Sequence, residues 1–211
     1  MKSFFKQYSY NMIKNLINQF AISIFGALLS MVTFVSQKTG TVWSVIVSLF
    51  SIAFYLFLIY TTTWEIGAKD RISVDVGKKK YKPLTGLWIS LFSHIPVLLF
   101  SLIFIIMDLL LLIPFFKAPQ LQFVIFIKNA LNAVGTVAKL ITDIGLNGMY
   151  LGITMTVNLP SGANLVQTWW IYFVIIIPAI VTSWVAYYTG FKNFRMIAPL
   201  FDKMNNKNKK R

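Results

Sequence analysis

The sequence predicts an all-α polytopic membrane protein. It has four transmembrane helices with both termini on the cytoplasmic side, an outer amphipathic or re-entrant helical segment, and an amphipathic N-terminal helix. Three observations predict it. The 211 residues are 57% hydrophobic and only 12% charged, with a mean hydropathy of +0.69, whereas a soluble domain carries about 25% charged and about 45–50% apolar residues. The apolar residues gather in runs of about 20 or more, the length that crosses a hydrocarbon core of about 30 Å. The cations cluster beside alternate ends of those runs. Soluble enzymes, disulfide scaffolds and disordered tails are excluded on these grounds.

The chain reads as a single integral membrane domain. Residues 1–15 form an amphipathic arm with Phe4, Phe5, Tyr8, Met12 and Ile13 on one side, as expected of a helix at the headgroup level. Residues 16–36 are the first span; the run begins late and lacks a small-residue cleavage site, so it reads as an uncleaved span. Residues 41–63 are the second. The basic loop, 64–83, reads WEIGAKDRISVDVGKKKYKP. Its Asp75-Val76-Gly77 turn between β-branched residues predicts a short hairpin, with Asp70 and Arg71 as a local ion pair.

Residues 84–116 are the third span, about 50 Å long at 1.5 Å per residue. It must tilt, kink or project, and Pro96 supplies a kink because it cannot donate to the carbonyl of Phe92. Residues 117–167 are too long for a structureless loop. Within them Val124, Ile127, Leu131, Val134, Ala138 and Ile141 recur every three or four residues, so 121–144 reads as an amphipathic helix. A helix on the outer surface is the favoured placement, a re-entrant hairpin with 146–159 the second, and a true span the least favoured. Residues 168–190 are the fourth span and 191–211 a basic tail.

Orientation follows from the 20 cations: 16 fall in the N-terminal arm, the 64–83 loop and the tail, against four (Lys38, Lys117, Lys128, Lys139) on the other side. The positive-inside rule then places both termini in the cytoplasm. The cations flank membrane ends, so they predict a collar on an anionic cytoplasmic leaflet and no nucleic-acid partner. Lysine outnumbers arginine 17 to 3, a bias of AT-rich coding that suggests a bacterial cytoplasmic membrane.

Candidate functional residues are few. Cysteine is absent and there are one histidine and six acids, so neither a metal nor a cofactor is expected. No hydrolase, metalloprotease, phosphate-loop or dinucleotide motif appears, and the chain is not expected to be an enzyme. In the third span Ser90, His94, Ser101 and Asp108 step by four, seven and seven and share one face. Asp108 heads the list, because an acid inside a membrane is costly and marks function by default. The loop adds Glu65, Asp70, Arg71 and Asp75. The faces Gln19, Ser23, Gly26, Ser30, Thr33 and Gln37; Ser44, Ser48, Ser51 and Tyr55; and Ala179, Ser183, Ala186 and Gly190 carry the small residues that let membrane helices pack.

The loop Trp64–Leu87 and the run Tyr188-Thr189-Gly190-Phe191-Lys192 resemble uncharacterised multi-pass bacterial membrane proteins. The resemblance implies no activity. The residues point first to a non-catalytic accessory or assembly subunit acting through a membrane-protein partner or a second copy of itself. The alternative is a small transporter or channel subunit with a polar path at Asp108.

Overall fold

The structure is a computed structural model that describes residues 2–34, 40–111, 113, 122–157 and 170–194. All regular structure among these residues is helical. In chain order it comprises α1 (Lys2–Phe34), α2 (Gly40–Asp75), α3 (Thr85–Ser93), α4 (Ile95–Leu111) and α5 (Gln122–Leu140). There follow a π-helical turn (Ile141–Leu146), a 3-10 turn (Gly148–Tyr150), α6 (Leu151–Thr156) and α7 (Ile171–Phe191).

Four stretches are long and apolar enough to cross a membrane: Phe4–Thr33, Thr41–Asp75, Gln122–Leu146 and Ile171–Phe191. Three of them overlap the predicted first, second and fourth spans, with residues 35 and 36 of the first and 168 and 169 of the fourth lying outside the described residues. The predicted third span is instead two helices, α3 and α4, bent by 46° at His94. Pro96 explains the break: it leaves the carbonyl of Phe92 without its helical donor, and the ladder resumes with Leu98 donating to His94 at 3.1 Å. The remaining apolar stretch, Gln122–Leu146, lies in the segment for which the sequence favours a surface helix over a re-entrant hairpin and a true span.

The hairpin predicted for the basic loop is absent. α2 runs on to Asp75, about 54 Å for its 36 residues. Gly77, at φ +74°, ends it in a Schellman motif, with Lys78 donating to Ser73 and Gly77 to Val74, both at 2.9 Å. The Asp75-Val76-Gly77 sequence is thus a helix C-terminus, whose chemistry resembles that of a hairpin turn.

The helices form a bundle with two distinct ends. At the base lie the 76–84 connection, the start of α1 and the end of α7. At the top, α1 is tied to α2 by a 2.6 Å hydrogen bond between the hydroxyls of Thr33 and Ser44. α7 packs on α2 along its length, and Gly67 and Gly190 let the two backbones meet: a Cβ at either would collide with the partner's carbonyl oxygen. Large apolar side chains are exposed along every long helix, from Phe20 and Leu28 to Phe50, Leu99, Phe126 and Val181.

The segment 122–156 is a helical hairpin driven into this bundle. Going down α5, Gly135 meets Met107, Lys139 lies 5.3 Å from the ring of Phe104, and Leu146 joins a buried cluster with Val97 and Ile176. The chain then reverses at Asn147. Gly148 returns against Ser23, and Gly152 against Ser44 at the top. No side chain larger than hydrogen fits at either glycine.

Candidate functional site

The residues with chemistry gather in three buried centres. The largest is at the base, around Asp70, which is 5% exposed. One carboxylate oxygen accepts from the hydroxyls of Tyr8 and of Tyr187, the latter at 3.0 Å. The other pairs with Lys79 Nζ at 2.7 Å and accepts from Gln7 Nε2 at 3.5 Å. One acid therefore joins α1, α2, the 76–84 connection and α7. Lys79 also lies 5.5 Å from the centroid of the Tyr8 ring, within reach of a cation–π contact. Arg71 does not pair with Asp70 as predicted; it lies one turn before Asp75, at 3.7 Å. Glu65 is exposed, beside a hollow that Lys14 and Lys69 also line.

The second centre is His94 at the α3–α4 break, 2% exposed. Its Nδ1 is 2.7 Å from the carbonyl oxygen of Ser90, which can only accept. In the neutral ring Nδ1 therefore carries the proton, and Nε2 accepts from the Tyr55 hydroxyl at 3.0 Å. Ser90 and Ser101 are buried, and neither hydroxyl has a protein partner. The side chain of Asp108 lies outside the described residues.

The third centre is the tip of the 122–156 hairpin. Asp143 accepts from the Tyr172 hydroxyl at 2.7 Å. Gln19 donates to the carbonyl of Leu146 at 3.0 Å. Asn147 is 4% exposed, and neither its amide nitrogen nor its oxygen has a protein partner. It faces a space of about 10 Å³ lined also by Asp143, Thr154 and Tyr172, room for about one water.

Asp70 was within sequence reach; its partners were not. The stripe Ser44, Ser48, Ser51 and Tyr55 continues through Ile59, Thr63 and Ile66 to Asp70, and all of these are buried. That spacing marks Asp70 as an inward helical residue. Nothing in the spacing points to Tyr8 or Tyr187. Among the described residues no group of three or more histidines and acids is arranged to hold a metal. No family model, curated protein or solved structure matches the chain.

Proposed function

We propose that the chain is a multi-pass protein of a bacterial cytoplasmic membrane, without catalytic activity, that serves as an accessory or assembly subunit through partners. The observation that carries this reading is where its ionisable side chains go. Asp70, His94 and Asp143 are each bonded to side chains of other helices, so their polarity holds helices together. The outer faces of those helices are apolar and available to lipid or a partner. The charge asymmetry of 16 cations against four supports the orientation with both termini inside. On this reading the 122–156 hairpin enters from the outer side and returns to it. Such a dip is tolerated where protein covers its backbone, as the glycine contacts with α1 and α2 do. Crosslinking in native membranes followed by purification should recover the chain with a defined membrane-protein partner or a second copy of itself. Recovery only as a monodisperse monomer would contradict the proposal.

One observation favours a second reading, a small transport or channel subunit. The amide of Asn147 is buried at the tip of a broken helix without a protein partner, and irregular backbone at membrane depth is found where it lines a solute path. On this reading a solute would pass Asn147 and Asp108. Asn147→Ala and Asp108→Asn should then change flux in reconstituted vesicles while the protein still elutes as a folded species. Flux indistinguishable from empty vesicles would remove this reading.

A further inference from the structure

We propose that the base of the bundle binds an anionic phospholipid, with an acyl chain in an aromatic groove between α1 and α3 and the phosphate on Lys80 and Lys82. The groove has a volume of about 460 Å³, within the range of about 300–1,000 Å³ typical of small-molecule pockets. Phe4, Phe5, Tyr81, Leu84, Trp88 and Phe92 wall it. The rings are set against one another, with Phe5 and Phe92 centroids 4.7 Å apart and Trp88 and Phe92 5.8 Å apart. These walls are open to the surroundings: Trp88 is 42% and Leu84 49% exposed.

One end of the groove is basic. It adjoins a second hollow of about 140 Å³ that shares Phe4, Lys82 and Thr85 with it and adds Lys79 and Lys80. The Asp70 carboxylate is taken by Lys79. Lys80 and Lys82 are exposed and pair with no carboxylate among the described residues. An apolar slot with two unneutralised ammonium groups at its mouth matches one chemistry: an aliphatic chain ending in an anion. Tyr81, between the two lysines in the chain, is a residue type that suits the headgroup level of a leaflet, which is why a lipid fits better than a soluble anion.

The proposal rests on the reading that this chain sits in a bilayer. Its test uses the full chain in a zwitterionic detergent, where both ends of the bundle are accessible whatever the orientation. The probes are phosphatidylglycerol and phosphatidylcholine brominated on the acyl chain. The signal is the part of tryptophan quenching lost in Trp88→Phe. Phosphatidylglycerol should quench Trp88 saturably, at a concentration at least about tenfold below that needed by phosphatidylcholine. The double variant Lys80→Gln/Lys82→Gln should abolish that preference, since two lysines near an anionic surface account for about such a ratio. Both lysines are exposed, so this variant should keep the elution profile of the parent. Equal quenching by the two lipids, or a preference that survives the double variant, would overturn the proposal. A chain that stays soluble and monodisperse without detergent would instead overturn the membrane reading beneath it.

Discussion

At the scale of single residues, Asp70 is the most consequential side chain described. It is the common acceptor for two tyrosines and the counter-ion of Lys79, and it is removed from water. Truncating it leaves two buried hydroxyls without an acceptor, each costing about 1–3 kcal/mol. Asp70→Ala should therefore lower stability by about 3 kcal/mol, read as a lower thermal midpoint in detergent. Lys79 is 34% exposed and can turn to solvent, so Lys79→Gln should cost about 1 kcal/mol or less. Tyr187→Phe should cost about 1 kcal/mol, the usual net contribution of one hydrogen bond. An Asp70→Ala midpoint equal to that of the parent would mean that the four segments are held together by packing alone.

At the scale of elements, the hairpin depends on two glycines. A methyl group at Gly148 would collide with the backbone of Ser23, and one at Gly152 with Ser44; overpacking of this kind costs about 1–3 kcal/mol or more. Gly148→Ala and Gly152→Ala should each destabilise the protein. Gly145→Ala is the control, because its methyl would meet only the Phe20 ring at an ordinary 3.4 Å. Equal midpoints for all three variants would contradict the inserted hairpin. The helix faces were legible in the sequence: Gln19, Ser23 and Ser30 on α1, Ser44 to Tyr55 on α2, and Ala179 to Gly190 on α7 are buried together. Period alone suffices there, because small polar residues in an apolar helix have few other uses. The hairpin was less legible. Val134 and Ile141, on the predicted apolar stripe, are exposed, and Gly135 and Thr142 are buried in their place. Around lipid an outward valine costs nothing, so the apolar stripe ceases to report the inside. The Asp70 cluster was illegible for another reason: its tyrosines lie 62 and 117 residues away, and no local pattern encodes such a meeting.

At the scale of the whole molecule, the account stands on one arrangement. As proposed, three of the four membrane-length helices and the bent pair α3–α4 cross the bilayer around a hairpin that enters and leaves on the same side, opposite the basic loop. The chain has no cysteine, so single cysteines report without background. The most direct measurement introduces one at Lys78 in the loop, at Gln122 where the hairpin begins, at Asn147 at its tip, or at Val157 where it ends. Each is then treated in intact cells with a membrane-impermeant thiol reagent. The account predicts labelling at positions 122 and 157 in intact cells, labelling at 78 only after permeabilisation, and labelling at 147 only after denaturation. Labelling of 122 and 157 from opposite sides would make Gln122–Leu146 a true span. Labelling of 78 in intact cells would invert the orientation.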